Sequence, residues 1–191
     1  MATPHANRTA KRDRSAAADS TSARALRMVD LASADRPRVL RALSRCRQVA
    51  ADAEATYGAA ADAVRDARLR VLLLDQSRRR GRLADELEEL IVALQALVSE
   101  RSFAVPHRSR AVGARGALSR KRGRALLTAC ERADLSGLEV YDAVREELAE
   151  LDAPDALLRV LTRQREVLRA GHDGIAGLLH FGVLAREPRA P

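Results

Sequence analysis

A small group of carboxylate and histidine side chains could hold a metal. Dinuclear iron and manganese sites in helical bundles use a Glu from each of two helices and a Glu-x-x-His pair from each of the other two. Glu54, Glu131, Asp134 and His172 supply part of such a set. The second predicted helix has no histidine, and Glu166 lies six residues before His172 rather than three. Because this set is too short for a dinuclear centre, we predict no bound metal and no cofactor.

Other catalytic chemistries find less support. Cys46 and Cys130 lie on apolar helix seams, where cysteine is usually inert packing. The sequence has no glycine-rich phosphate loop and no zinc-ligand spacing. Two cysteines are too few for a disulfide framework, and no apolar segment reaches the length of a membrane span. We therefore expect a non-enzymatic, cytoplasmic protein.

Basic side chains suggest a second kind of function. The net charge of +8 comes from an N-terminal tail and from the connector between the second and third predicted helices. Such segments bind nucleic acid, another polyanion or an acidic protein. No aromatic residues alternate with them, so base stacking is unsupported, and a solvated surface is the simpler interpretation. The candidate contacts are Arg8, Lys11, Arg12, Arg14, Arg108, Arg110, Arg115, Arg120, Lys121, Arg122 and Arg124.

Four helices are predicted to follow a disordered basic tail at residues 1–34. Ala, Leu, Arg and Glu dominate the composition, which favours helix. Apolar residues recur at steps of three and four along each segment, as in helices packed on one side. Pro37 in a first turn, Asp66 as an N-cap and Pro154 before the last segment mark helix starts. The bundle is predicted to occupy residues 35–184.

The connectors predict how the helices run. Turns of a few residues join the first helix to the second and the third to the fourth, so each pair forms an antiparallel hairpin. A longer connector, from Ser99 to Lys121, separates the second and third helices. A helix of about 28 residues is about 42 Å long, and about 13 extended residues span that distance. The prediction is therefore an all-α four-helix bundle with a ferritin-like crossover.

An arginine is predicted at the height where a ferritin-like bundle holds metal. With a crossover, Glu54, Asp134 and His172 fall within about one helical turn of one height. Gln76 and Arg80 of the second helix reach the same height. We predict that Arg80 supplies the positive charge there, paired with Asp134 or Glu54, which leaves a degenerate metal site. An outward-facing Arg80 is the open alternative, and His172 is more often a hydrogen-bonded residue than a ligand.

Polar residues also recur between the two predicted hairpins. Gln76 and Gln164 occupy corresponding seam positions in the second and fourth helices, and Tyr57 and Tyr141 do so in the first and third. These pairs suggest a duplicated helical hairpin. We interpret them as a polar layer that fixes the register of the helices.

Short segments in a fixed order carry a family resemblance. They are Asp52, Tyr57 and Ala59-Ala60; Leu83-Ala84-Asp85-Glu86-Leu87; Ser102-Phe103-Ala104 and His107-Arg108; Leu126-Leu127, Ala129-Cys130-Glu131-Arg132 and Tyr141; and Gln164 with His172-Asp173. Over about residues 40–180 the chain resembles a bacterial family of ferritin-like four-helix bundles of unknown function. Ala133 and Asp134 depart from the Gly and Glu usual in that family. The resemblance implies the fold and no activity.

These patterns favour a non-catalytic binding or stress-related protein with a degenerate metal site. Binding of nucleic acid or another polyanion through the tail and crossover is the first alternative. A di-iron or di-manganese carboxylate protein is the second. The sequence identifies no partner, and a homo-oligomer is possible.

Overall fold

Four helices pack as a bundle in the computed structural model, which describes residues 35–96 and 123–180. The helices are α1 (Arg36–Ala63), α2 (Ala67–Ala96), α3 (Gly123–Glu150) and α4 (Asp155–His180). These two ranges contain no strand, and none of their helices is long and apolar enough to cross a membrane. The predicted four-helix, all-α architecture is confirmed. The predicted tail and the predicted connector from Ser99 to Lys121 lie outside the described residues.

The helices start where the sequence places start signals. Pro37 lies in the first turn of α1, where its missing N–H costs no hydrogen bond. The Asp66 carboxylate accepts a hydrogen bond from the Leu69 N–H at 2.8 Å and so caps α2. Between α3 and α4 the chain turns through Asp152, whose φ is 50°, and the Ala153 N–H donates to the Leu148 carbonyl. The turn thereby satisfies a carbonyl at the end of α3.

Two contacts between α1 and α3 fix their relative direction. Arg45 of α1 contacts Glu147 of α3, and Tyr57 of α1 contacts Asp134 of α3. The residue number on α3 therefore decreases as the residue number on α1 increases. The two helices are therefore antiparallel. Since short turns make α1–α2 and α3–α4 antiparallel as well, α2 and α3 start at the same end of the bundle. A connection between them must return along the bundle, and the path of residues 97–122 lies outside the described range.

The apolar core consists of two clusters, one toward each end of the bundle. Cluster 1 joins the start of α1, the end of α2, the end of α3 and the start of α4, and it includes Leu43 and Leu161. Cluster 2 joins the opposite helix ends and includes Val64, Leu73 and Leu127. Tyr57 of cluster 2 and two fully buried charged residues outside both clusters form a layer between the clusters. That layer is the main polar feature of the interior.

Ion pairs join every adjacent pair of helices in the half of the bundle around cluster 1. There α1 and α4 carry arginines toward their starts, whereas α2 and α3 carry carboxylates toward their ends. Helices of like charge lie on the diagonals, so each neighbouring contact is attractive. The pairs are Arg45–Glu147 (α1–α3), Arg47–Glu88 (α1–α2), Arg163–Glu86 (α2–α4) and Arg165–Asp142 (α3–α4).

Candidate functional site

The centre of the bundle holds a buried arginine–aspartate pair. Arg80 of α2 and Asp134 of α3 each have no solvent exposure. Arg80 Nη2 donates to Asp134 Oδ1 at 2.6 Å and to Oδ2 at 2.7 Å, and Arg80 Nε donates to Oδ1 at 3.0 Å. The planar guanidinium thus contacts both carboxylate oxygens, the geometry that arginine suits better than lysine.

Two further side chains complete this layer. Tyr57 of α1 donates from its hydroxyl to Asp134 Oδ2 at 2.5 Å. Gln76, one turn before Arg80 on α2, accepts from Arg80 Nη1 at its amide oxygen (2.6 Å) and at its backbone carbonyl (3.1 Å). The guanidinium carbon also lies 4.1 Å from the centre of the Tyr57 ring, within the range of a cation–π interaction. The buried charges are therefore compensated by several neighbouring groups.

A glycine on α4 makes room for the guanidinium. A Cβ placed on Gly171 would overlap Arg80 Nη2 and would lie 3.0 Å from Gln76 Oε1. Any side chain at this position would push the arginine out of its place. The sequence signal for this role is modest: Gly171 lies three residues after Leu168 and four before Ile175, on the buried face of α4.

Burial and hydrogen bonding shift the pKa of the Asp134 carboxyl in opposite directions. Loss of solvent raises the pKa of Asp134 above its ordinary value, whereas the Arg80 charge and the Arg80 and Tyr57 hydrogen bonds lower it. Burial also raises the pKa of the Tyr57 hydroxyl, so this hydroxyl keeps its proton and remains a donor. Arginine cannot give up its charge in a protein. The layer therefore holds a permanent cation at the middle of the bundle.

Not every residue predicted for this layer lies in it. Glu54 is exposed on α1, and Glu131 is only partly buried on α3, so neither carboxylate joins Arg80 and Asp134 in the buried layer. Each follows a buried residue, Ala53 or Cys130, and one helical step of about 100° turns it away from the core. His172 is partly buried, and its Nδ1 finds no hydrogen-bond partner within the described ranges. Arg80 pairs with Asp134, not with Glu54.

The arrangement lacks the geometry of a metal site. Within residues 35–96 and 123–180, no three His, Cys, Asp or Glu side chains lie close enough together to hold a metal ion. Asp134, the carboxylate in the layer, already accepts hydrogen bonds at both oxygens from Arg80 and Tyr57. The layer orients and fixes the helices that it joins.

A second polar layer lies inside cluster 1. Tyr141 of α3 donates from its hydroxyl to the Gln164 amide oxygen at 2.7 Å. Gln164 of α4 donates from Nε2 to Glu86 Oε2 at 2.7 Å and to the Leu83 carbonyl at 3.3 Å. Arg163 covers Glu86 from the solvent side. This layer links α2, α3 and α4 without a fully buried charge.

The two layers show how the hairpins correspond. Tyr141 lies 84 residues after Tyr57, and Gln164 lies 84 residues after Arg80. Each tyrosine hydroxyl is hydrogen bonded to the residue 23 positions later, Tyr57 to Arg80 and Tyr141 to Gln164. By this hydrogen-bond relation the counterpart of Gln164 is Arg80, whereas by distance from the helix start it is Gln76 as predicted, because each glutamine is the tenth residue of its helix. The two hairpins place different polar groups at one equivalent position.

Most of the predicted polyanion contacts cannot be placed. Arg124 lies within the described residues and is exposed near the start of α3. The other ten candidates belong to the tail and the connector, outside the described residues. Two further exposed arginines, Arg65 just before α2 and Arg68 in its first turn, lie at the same end of the bundle as Arg124, because α2 and α3 run in parallel.

Fold and site together define an all-helical bundle protein with an arginine–carboxylate pair at its centre. The chain belongs to the family described as "Domain of unknown function (DUF2383)", which matches residues 38–147. The match covers most of α1, all of α2 and most of α3, including the positions of Tyr57, Arg80 and Asp134, and it ends before α4. A search of curated proteins finds no significant match. The family description names no activity, so function has to be argued from the site.

Proposed function

We propose that this protein is a non-catalytic, ferritin-like bundle that acts by binding, with Arg80 standing where a metal would be held. One observation carries the proposal: a fully buried guanidinium contacts both oxygens of Asp134 at the centre of the bundle. A cation at this place does electrostatically what a metal ion would do for the carboxylate. It offers no open coordination position and no redox chemistry.

The cost of displacing Arg80 also argues against a metal ion in this layer. A metal bound by Asp134 would have to displace Arg80 and leave its charge buried without a partner. Stranding one member of a buried ion pair costs about 3–5 kcal/mol. Glu54 and Glu131 lie outside the layer, so they do not offset that cost. Metal binding at this site is therefore disfavoured by the groups already present.

Metal analysis of the purified full-length chain tests the proposal. We expect far less than one iron or manganese per chain, and no rise in melting temperature when either ion is added. A ligand at about 100 times its dissociation constant would stabilise the fold by about 2.7 kcal/mol, which is a shift of several degrees. Near-stoichiometric metal that is lost in Asp134→Asn and retained in Glu139→Gln, at an exposed position of the same helix, would overturn the proposal and favour a di-iron or di-manganese protein.

Polyanion binding is a second candidate function, supported by the basic end of the bundle. Arg65, Arg68 and Arg124 are exposed there, and within the described residues none of them forms an ion pair. The connector that joins α2 to α3 enters α3 at this end and carries most of the other candidate contacts. Together they would form one continuous basic surface for phosphates.

Retention on immobilised duplex DNA at increasing salt tests this second function. Replacing Arg65, Arg68 and Arg124 by Glu should weaken retention and reduce the salt slope by roughly 0.9 for each lost phosphate contact. The matched control replaces Arg38, Arg41 and Arg159, three exposed arginines at the opposite end. Equal losses in both triple variants would mean that net charge, rather than this surface, governs retention.

A further inference from the structure

The outward face of α2 carries an exposed stripe along most of the helix. Its residues alternate at spacings of three and four, the spacing of a helix face that meets another helix. Every member is exposed. The members are Arg68, Val71, Asp75, Arg78, Arg82, Asp85, Glu89 and Val92.

Charges of opposite sign occupy the two halves of this stripe. Arg78 and Arg82 lie before the middle, and Asp85 and Glu89 lie after it. Within the described residues none of these four forms an ion pair, although every adjacent pair of helices is joined by one elsewhere in the bundle. Asp75 is an acidic residue in the basic half of the stripe, and it forms an ion pair with Arg79 of the same helix. The face therefore has a positive half and a negative half, both without partners.

Apolar side chains lie at both ends of the charged section. Val71 is 67% exposed and Val92 is 53% exposed. Leu72, beside Val71, is 37% exposed, so α2 holds three of the four large hydrophobic residues that are exposed in the described ranges. The exposed face therefore combines an ordered charge pattern with an uncovered valine at each end of the charged section.

We propose that this face binds a second copy of the chain, with the two α2 helices antiparallel about a two-fold axis. Antiparallel pairing sets the basic half of each helix against the acidic half of the other. If Arg82 faces Asp85 of the second copy, the same register places Arg78 opposite Glu89. Two-fold symmetry makes each of these pairs twice, which gives four intermolecular ion pairs. Val92 then lies one helical turn from Val71 of the second copy, so the valines become covered.

A second copy fits this face better than nucleic acid does. Asp85 and Glu89 would repel phosphates over half of the stripe, and valines gain nothing from contact with a phosphate backbone. The second copy satisfies both charge signs and the valines at once. Because the ion pairs lie at the protein surface, salt screens them, and the dimer should weaken as ionic strength rises.

Sedimentation of the full-length chain at low and high salt tests the proposal. At low salt we expect twice the 20.8 kDa of one chain. The variants R78E/R82E and D85R/E89R should each raise the dimer dissociation constant at least roughly a hundredfold, because like charges then face each other. An equimolar mixture of these two variants should form a heterodimer. The fourfold variant R78E/R82E/D85R/E89R should recover the homodimer, since it exchanges the sign of every pair.

The control is R159E/R169E, which reverses two exposed arginines of α4 and should leave the dimer intact. Circular dichroism should show unchanged helicity in all variants, since every replaced side chain is exposed. A chain that is monomeric at low salt, a reversal variant that stays dimeric, or a fourfold variant that stays monomeric would each overturn the proposal. A monomer whose DNA retention falls in R78E/R82E and rises in D85R/E89R would assign the face to polyanions instead.

Discussion

At the scale of single residues, the stability of the Arg80–Asp134 pair depends on both members being present. Taking two charges out of water is costly, and only mutual attraction with good geometry offsets the cost. Here the carboxylate accepts three guanidinium contacts of 3.0 Å or less. These contacts offset the cost of burying the two charges. The pair does not by itself make the bundle stable, because apolar residues of similar volume often give the same stability.

Replacing Asp134 by Ala should destabilise the fold strongly. The Arg80 charge would remain buried without a partner, and we expect the free energy of unfolding in urea to fall by about 3–5 kcal/mol. Glu139→Ala is the matched control, because Glu139 is an exposed residue of the same helix and should change stability by less than about 0.5 kcal/mol.

The double variant Arg80→Leu with Asp134→Leu distinguishes the loss of the whole ion pair from the loss of one of its charges. Because both desolvated charges are removed together, the double variant should be far more stable than Asp134→Ala, and stability equal to or above that of the wild type is expected. A loss below about 1 kcal/mol in Asp134→Ala would contradict the buried-pair account.

Gly171→Ala should test how tightly the layer is packed. Its new Cβ would overlap Arg80 Nη2, so we expect a lower melting temperature despite the better helix propensity of alanine. Gly174→Ala and Gly177→Ala are matched controls on the same helix, because nothing lies within 4 Å of a Cβ at either position. Each control should gain roughly 0.5–1 kcal/mol. Equal gains at all three glycines would show that the guanidinium tolerates displacement.

The sequence predicts the partners of this layer only in part. The seam pattern places Arg80 and Asp134 at positions that can face inward, but it leaves an outward-facing Arg80 open, and only the structure decides for the buried pair. It does not identify Tyr57 as their hydrogen-bond donor or Gly171 as the space beside them, since those relations join different helices. Glu54 was misplaced because a prediction of height along the bundle contains no information on rotation about the helix axis.

At the scale of helices, the Arg165–Asp142 pair links α3 to α4 and should be sensitive to acid. Arg165 Nε donates to Asp142 Oδ1 at 2.5 Å, and its Nη2 donates to Oδ2 at 2.9 Å. These hydrogen bonds are the largest cause that lowers the pKa of the Asp142 carboxyl below its ordinary value. A carboxyl group whose pKa is lowered by folding stabilises the fold when the pH is above the ordinary pKa of that group. This stabilisation is lost as the pH falls through the folded-state pKa.

Arg165→Gln should therefore reduce the acid sensitivity of stability below about pH 4. The measurement is the urea midpoint of the wild type and the variant between about pH 6 and pH 2. The two midpoints should differ near neutral pH and converge in acid. Arg169→Gln, at an exposed position of α4, should follow the wild-type curve. A constant difference across the whole pH range would mean that Arg165 acts through packing rather than through the Asp142 charge.

Helix ends and seams follow from the sequence more closely than tertiary contacts do. Pro37 and Asp66 mark their helix starts correctly because capping is a local interaction. Along α1 the apolar residues at steps of three and four are all buried, namely Leu43, Cys46, Ala50, Ala53, Tyr57 and Ala60. In α2 the sequence neighbours Leu90 and Ile91 are both buried, which a single seam at steps of three and four does not predict. That helix packs against two neighbours, so its buried face is wider than a single seam.

At the scale of the whole molecule, the N-terminal residues should be dispensable for folding. Residues 1–34 have few large apolar side chains to bury. A chain that starts at Asp35 should keep the helicity and the melting temperature of the full chain to within a few degrees. A drop of more than about ten degrees in thermal unfolding would mean that the segment packs on the bundle. Comparing both chains for DNA retention would show separately whether the segment binds polyanions.

The two cysteines report on the direction of the helices. Cys46 belongs to cluster 1 and Cys130 to cluster 2, on opposite sides of the charged layer. Tyr57 lies opposite Asp134 in the antiparallel pair, so Cys130 lies at the height of Ala61. Fifteen residues of helix separate that height from Cys46, or about 22 Å along the axis. A disulfide needs Cα atoms within about 7 Å, so the native chain cannot form one.

Mild oxidation of the native protein should therefore leave two free thiols and no cross-link. Burial raises the pKa of both thiols to about 12, so reaction with a thiol reagent near neutral pH should also be slow. The same oxidation in urea is the control, because the unfolded chain allows the cysteines to meet. If α1 and α3 were parallel instead, the two cysteines would lie near one height and could approach each other. Ready formation of a Cys46–Cys130 disulfide in the native state would overturn the antiparallel arrangement of α1 and α3, and with it the shared height of Tyr57, Arg80 and Asp134.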